Sequence, residues 1–313
     1  MNQRNVGKSG LRVSEIGLGC NNFGHAIDAK ASTEIIHRAL DLGVTLFDTA
    51  PVYGAEWGAS EAILKDTLGP RRKDVVIVTK FGMQRDYSTN TSRAAVLDGV
   101  EESLQRLGTD YIDVLMLHWP DWSTPVEETL TALDDVIRDG KVRYIGCCNL
   151  SAWRVIEAKW LSKSEGLHEY IVCQDEYSLV ERRAENDLIP ALQEYQLGLM
   201  PYAPLANGLL TGKFTKQSAA PADSRLGKNV WNMGDRYLTE SKLDLIEQLS
   251  RFATDHGHTL LELAVSWLLA NPIVCSVIAG ATKLEQLEQN LNAGNWQLTA
   301  EELEQINQIC AKA

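Results

Sequence analysis

No run of about 18 apolar residues occurs in the chain, so no membrane-spanning helix and no membrane partner are expected. The opening residues, Met1-Asn2-Gln3-Arg4-Asn5, are polar and precede no apolar segment, so no secretory signal is expected and the cytoplasm is the default location. The six cysteines (Cys20, Cys147, Cys148, Cys173, Cys275, Cys310) lack the paired spacing of zinc ligands, so no metal site is expected and free thiols are the default. Cys147-Cys148 is open to two readings, a redox-active vicinal pair or two strand residues on opposite faces, and the second is favoured because successive strand side chains alternate. A Walker A sequence is absent. Gly17-x-Gly19-x-x-x-x-Gly24 has the wrong spacing for the dinucleotide fingerprint G-x-G-x-x-G. Positive charge is in deficit, with 30 Lys and Arg against 42 Asp and Glu, a net −12. That argues against nucleic acid as a partner, since Lys and Arg drive phosphate binding. It leaves room for a local basic pocket that holds one small anion.

What is present is an alternation of short apolar runs and longer amphipathic ones. The chain's 313 residues accommodate a barrel of roughly 250 residues plus insertions. Strands are predicted at Ser14–Gly19, Thr45–Asp48, Val75–Lys80, Ile112–His118, Tyr144–Cys148, Ile171–Gln174, Leu199–Tyr202 and Ser276–Ala279. They are apolar throughout, as strands buried on both faces are. Helices are predicted between most of them: Ser32–Leu42 ending at Gly43, Ser60–Leu68 ending at Gly69-Pro70, Ser92–Leu107 ending at Gly108, Pro125–Arg138 behind an N-capping Thr124, Ser151–Leu161, and Asn186–Tyr195. Leu260–Leu269 and Thr299–Cys310 follow, the latter with Thr299 and Glu302 spaced for a capping box. The fold class expected is a single (β/α)8 TIM-barrel domain over residues 1–313. Its additions are an N-terminal β-hairpin (Arg4–Val13, turning at Gly7–Gly10), a long loop after strand seven (Thr211–Thr239) and a C-terminal helix.

In such a barrel the chemistry sits at the carboxyl ends of the strands. Asp48, Lys80, His118, Asn149 and Gln174 stand at or just past predicted strand ends, and Tyr53 follows Asp48 in its loop. Each alone has a structural explanation, such as an ion pair for Asp48 and Lys80 or packing for Tyr53. Together they suit proton transfer to a carbonyl oxygen. A lysine beside a phenol favours the phenolate, which lowers the phenol pKa, and an aspartate keeps that lysine charged. A histidine orients the carbonyl.

Several segments in order strengthen this reading: F-D-T-A-P-V-Y-G (Phe47–Gly54) with Ser60-Glu61, V-T-K (Val78–Lys80), L-G-T-D-Y-I-D-V-L-M-L-H (Leu107–His118), G-K-V-R-Y-I-G-C-C-N (Gly140–Asn149), Q-D-E-Y (Gln174–Tyr177), Y-A-P-L-A-N-G-L-L-T-G-K (Tyr202–Lys213) and I-A-G-A-T-K-L-E-Q-L-E-Q-N (Ile278–Asn290). Over nearly its whole length the chain resembles the aldo-keto reductases. It is most like the branch that holds bacterial reductases and potassium-channel β-subunits. The resemblance implies a catalytic tetrad of Asp48, Tyr53, Lys80 and His118, with Tyr53 as general acid in reduction and base in oxidation. It implies NADP(H), favoured over NAD(H), across the barrel mouth. Asn149 and Gln174 would bind the carboxamide and Tyr202 would stack on the nicotinamide. Leu205, Gly208 and Lys213 would line the pyrophosphate, with Arg225 as a clamp. Gly280, Thr282, Lys283, Gln286, Gln289 and Asn290 would surround the adenosine phosphate, a role suited to a helix N-terminus. Cys20, Asn21, Cys148, Ala203, Pro204 and Ala206 complete the expected cofactor contacts. Cys148 and Ala203 stand where many relatives carry serine, so those contacts must be made differently.

Candidate substrate-lining residues are Phe23, Trp57, Trp119, Trp122 and Trp231, with Asn21 and Asn22 beside them. Trp57 sits in a slightly lengthened loop, Ala55–Ala59. The implied substrate is a small carbonyl compound or alcohol with an apolar or sugar-like face. Three competing readings differ in kind: a redox-sensing regulatory binding module with slow turnover, a lyase with Lys80 as a Schiff base, and a metallohydrolase. The intact tetrad favours the reductase. An oligomer is compatible with the sequence.

Overall fold

The computed structural model describes residues 1–216, 221–222 and 224–311. The chain opens with a hairpin, β1 (Gln3–Asn5) antiparallel to β2 (Arg12–Ser14), with Gln3 opposite Ser14. Among the described residues, eight parallel strands follow: β3 (Ile16–Gly19), β4 (Leu46–Asp48), β5 (Val76–Phe81), β6 (Ile112–Leu117), β7 (Val142–Cys148), β8 (Tyr170–Glu176), β9 (Gly198–Tyr202) and β10 (Val277–Gly280). They pair in chain order, and β10 joins β3. The ring closes where the Leu199 N–H donates to the Ile273 carbonyl (2.8 Å) and the Cys275 N–H to the Leu199 carbonyl (2.9 Å). The helices are α1 (Ala29–Asp41), α2 (Ala59–Leu68), α3 (Arg93–Leu107), α4 (Val126–Arg138), α5 (Ala152–Glu165), α6 (Leu188–Tyr195), α7 (Met233–Tyr237), α8 (Glu240–Asp255), α9 (Leu260–Ala270), α10 (Leu284–Asn292) and α11 (Ala300–Ala311). This is the (β/α)8 barrel expected from the sequence.

Strand alternation divides the core in two. On β6, Val114 and Met116 point inward to meet Leu46, Val78, Val172 and Met200, while Leu115 and Leu117 point outward into the helix layer. Val6 and Val13 of the hairpin join the inner cluster, so the hairpin plugs the amino-terminal end of the barrel. Burial of each contributes up to about 1.5–3 kcal/mol. The hairpin tip lies directly on the strands: a Cβ on Gly7, which has φ +54°, would stand 2.4 Å from the Ile171 carbonyl oxygen. Only glycine tolerates that approach.

The alternation also separates the vicinal cysteines. Cys147 lies in the outer layer and Cys148 inside the barrel. The thiol that meets Cys147 is Cys173 on β8, 3.4 Å away. Hydrogen bonding to Cys173 and burial both push the Cys147 thiol up, which leaves it protonated and unreactive.

Several local details differ from the sequence expectation. Ser14 belongs to the hairpin rather than to the first barrel strand. Pro125 itself is the N-cap of α4, because the Thr124 hydroxyl is taken by Asp121 at 2.7 Å. Ser151 occupies the N-cap of α5 without making a side-chain cap bond. The Thr299 box forms as expected, with the Glu302 N–H donating to the Thr299 hydroxyl (3.2 Å) and the Thr299 N–H to Glu302 (2.6 Å). Among the described residues of the stretch 211–239, Val230–Asn232 form a 3-10 turn, followed by α7.

Candidate active site

Parallel register brings the strand-end residues together. Asp48 ends β4, Lys80 is the penultimate residue of β5, and His118 follows β6. Asp48 pairs with Val78 and Lys80 with Met116, so the two charged side chains share the inward face, with Lys80 two residues beyond the partner of Asp48 on β5. The Lys80 ammonium donates to Asp48 Oδ1 (2.8 Å), the Thr49 carbonyl (2.9 Å) and the Tyr53 hydroxyl oxygen (3.3 Å). These bonds use all three of its protons. Gln174 Nε2 donates to the same Asp48 oxygen (2.8 Å). The His118 ring lies edge-on to Tyr53, centroids 6.0 Å apart at 84°. Asp48, Lys80, Gln174 and His118 are all buried.

The electrostatics differ from the sequence expectation at one residue. Burial opposes the Lys80 charge, but Asp48 and Tyr53 outweigh it and hold the ammonium above its ordinary range. Tyr53 goes the other way from what its lysine neighbour suggests. Burial pushes its phenol up to about 12, and the downward pull of Lys80 does not compensate. Tyr53 is therefore a protonated donor at neutral pH. Burial and Lys80 together push His118 well below 6.5, so its imidazole is neutral. Ultraviolet difference titration of the free protein against Tyr53→Phe tests this: no phenolate signal from Tyr53 is expected below pH 10, and a midpoint near 8 would show that Lys80 dominates.

A second layer, unassigned from sequence, supports this set. Ser60 Oγ donates to the Cys20 carbonyl (3.0 Å) and accepts from Thr49 Oγ1 (2.9 Å), which fixes the loop whose carbonyl holds Lys80. Glu61 is fully buried; it accepts from Thr79 Oγ1 (2.6 Å) and from Arg106 Nε (2.6 Å). A Cβ on Gly58 (φ +81°) would stand 2.1 Å from Arg106 Cδ, so the Tyr53 loop closes down onto that guanidinium. The segment Ser60-Glu61 was legible as part of a motif; its arginine partner, far away on α3, was not.

The residues expected at the cofactor also ring the mouth. Asn149, in left-handed backbone (φ 59°), donates through Nδ2 to the His118 carbonyl (2.9 Å) and accepts from the Tyr202 hydroxyl (2.9 Å). Ala203, Ala206, Asn207 and Gly208 have positive φ. The two alanines hold this conformation at roughly 1–2 kcal/mol each, strain of a kind found at ligand sites. Pro204 and Leu205 lie between them. A side chain on Gly208 would come within 3.2 Å of Lys213 Nζ, and one on Gly280 within 3.2 Å of Asn22 Nδ2 and 3.5 Å of Asn21 Oδ1. Arg225 reaches across the opening to Asn22 Oδ1 (3.1 Å) and Asn207 Oδ1 (3.4 Å). Thr282 donates twice to Gln286 Oε1 (2.9 and 3.0 Å), and Asn290 Nδ2 donates to the Gly280 carbonyl (3.3 Å). Lys283 and Gln289 are exposed on α10, Lys283 at its N-cap. The Cys20 and Cys148 thiols are buried, Cys148 Sγ lying 3.8 Å from Gln174 Oε1.

The substrate candidates divide. Phe23 is buried. Trp57 carries the Arg85 guanidinium over its ring at 5.3 Å. Trp119 lies tilted against His118, centroids 6.5 Å apart. Trp122 instead stacks on Trp153 of α5. The side chain of Trp231 lies outside the described residues.

These features define a (β/α)8 barrel that gathers a buried lysine–aspartate pair, a phenol and an imidazole at its strand ends. The profile of the aldo/keto reductase family matches residues 15–311. The chain is 40% identical to a probable voltage-gated potassium channel subunit beta of Oryza sativa subsp. japonica, covering 94% of this chain and 91% of that one. It is 35% identical to the L-glyceraldehyde 3-phosphate reductase of Escherichia coli K12 (99% and 93% covered) and 33% identical to the aldo-keto reductase YhdN of Bacillus subtilis 168 (99% and 93%). The chain belongs to the aldo/keto reductase family. Among the described residues no helix is long and apolar enough to cross a membrane.

Proposed function

We propose that the chain is an NADP(H)-dependent oxidoreductase that interconverts an aldehyde or ketone and its alcohol, with Tyr53 as the acid and base. The observation that carries this reading is the Lys80 ammonium, 2.8 Å from Asp48 and 3.3 Å from the Tyr53 hydroxyl, with neutral His118 edge-on beside that phenol. Tyr53 gives its proton to the carbonyl oxygen, and Lys80 stabilises the phenolate left behind. Asp48 keeps Lys80 charged, and His118 steers the carbonyl. In the oxidising direction the phenolate takes the alcohol proton.

The residues fit a nicotinamide dinucleotide, which supplies or accepts the hydride when bound. Arg225 is a half-buried cation with only amide oxygens for partners and no carboxylate among the described residues. Burial pulls its pKa down, so an anion there would relieve it. The left-handed run around Ala206–Gly208 sits on the other side of the same guanidinium. Asn149, Gln174 and Tyr202 would hold the nicotinamide. Gly280, Thr282 and Lys283, at the amino end of α10, would take a 2′-phosphate. Lys283→Ala is expected to weaken NADPH about tenfold, one charge-assisted phosphate contact, and NADH less than twofold. Fluorescence titration with both nucleotides reads this, and equal losses would refute the phosphate role.

The 40% identity to the rice protein supports a second reading, a regulatory binding module in which turnover is slow. NADPH consumption with a panel of aldehydes separates the two. Turnover favours the enzyme; tight NADPH binding without turnover on any aldehyde favours the module.

A further inference from the structure

We propose that Trp122, Trp153 and Arg154 form a second substrate subsite on the barrel rim, which stacks on a flat-faced ring carried some distance from the reacting carbonyl. The inference rests on the carbonyl-oxidoreductase reading above and extends it to substrate class. Trp122 is 64% exposed and Trp153 58%, and together they form an offset stack, centroids 6.1 Å apart at 28°. The Arg154 guanidinium lies 5.3 Å from each ring centroid and is tied to Glu157 at 2.6 Å. Two large apolar rings left in water forgo the stabilisation of burial, and exposed patches of this kind mark binding surfaces.

Position and rigidity assign the occupant. Trp122 lies in the loop after β6, four residues beyond His118. Trp153 is the second residue of α5, four residues beyond Asn149, whose side chain bonds the His118 carbonyl. The pair thus sits over the gap between β6 and β7, on the same rim as the reacting groups. Trp119, 41% exposed and tilted against His118, precedes Trp122 in the same loop. That loop is pinned by one buried carboxylate. Asp121 accepts from the Thr91 N–H (2.9 Å) and from Thr124 Oγ1 (2.7 Å), the Ser123 N–H (2.8 Å) and Ser123 Oγ (2.6 Å). A platform ordered before binding stacks on a ring without further entropic cost. Indole faces suit an aryl ring or the C–H face of a pyranose, so the shared chemistry is a ring several bonds away from the carbonyl.

The test uses full-length protein with NADPH and two homologous series, ω-phenylalkanals and ω-glucosyloxyalkanals of increasing chain length, with propanal as the ringless reference. In the wild type, KM is expected to fall at one chain length in at least one series, which identifies the ring type. Trp122→Ala and Trp153→Ala should each raise that KM about tenfold, the upper end for one stacked ring pair, and Trp153→Ala should leave propanal kcat/KM within twofold. Trp160→Ala serves as control: Trp160 is also exposed on α5, but about two turns further down, and no change is expected. Equal effects on propanal and on ring-bearing aldehydes, or no gain from a ring in the wild type, would overturn the subsite. Saturation-transfer NMR of the matching ω-phenylalkanol provides a readout independent of turnover. Ring-proton saturation that is lost in Trp122→Ala supports the subsite even where no aldehyde is reduced, an outcome that would sink only the enzymatic reading. Saturation unchanged by the substitution overturns the subsite.

Discussion

Tyr53→Phe is expected to reduce carbonyl turnover by roughly 10³-fold, the scale of a lost general acid, while NADPH affinity stays within about twofold. The substitution removes one oxygen. The ring that packs edge-on to His118 remains. Lys80 loses its 3.3 Å contact with the phenol but keeps Asp48 at 2.8 Å and the Thr49 carbonyl at 2.9 Å, so it stays charged and in place. What disappears is the phenol proton beside Lys80, whose own three protons are committed. Steady-state NADPH oxidation with any accepted aldehyde, run beside a nucleotide fluorescence titration, measures both halves. Near-normal turnover would remove Tyr53 from the acid's role.

The second large effect is on stability. Glu61→Ala is expected to cost about 3–5 kcal/mol, the range for breaking a buried ion pair, and to lower Tm by roughly 10 °C. Glu61 is fully buried, and its two bonds, to Thr79 and to Arg106, are both 2.6 Å. Deleting the carboxylate strands the Arg106 Nε and the Thr79 hydroxyl inside the protein. Arg106 retains Glu102 on its exposed side (2.9 Å), which recovers little. Glu61→Gln keeps the shape and one acceptor, so it should lose less than half as much. Calorimetry or thermal denaturation checks the order; an alanine variant as stable as wild type would show that the pair contributes nothing net. Thr79 adjoins Lys80, and Ser60 holds the Thr49 loop, so the same variant should also lose activity.

How far the site was legible depended on whether a residue's role followed from its own segment. Asp48, Lys80 and His118 were readable because strand ends in a parallel barrel all face one mouth, and short apolar runs mark where strands end. The hairpin was readable from its glycine turn; that Val6 and Val13 close the barrel end emerged only with the fold. Arg106 escaped notice because an arginine on an amphipathic helix reads as solvated until its helix is packed against α2. The Trp122–Trp153 stack escaped for the same reason: its members are 31 positions apart and meet only when the ends of β6 and β7 are brought side by side.

The sequence has no dinucleotide fingerprint, and the residues proposed to hold a nucleotide come from several strand ends rather than from one glycine loop, with Lys213, Arg225 and Lys283 the cations proposed among them. The sequence alone determines the order of elements, the barrel and the identity of the strand-end groups, because these follow from local periodicity and from the one direction in which parallel strands point. The tertiary structure alone decides the protonation state of Tyr53. Lys80 at 3.3 Å favours the phenolate and burial opposes it, and only the depth of the pocket determines that burial prevails.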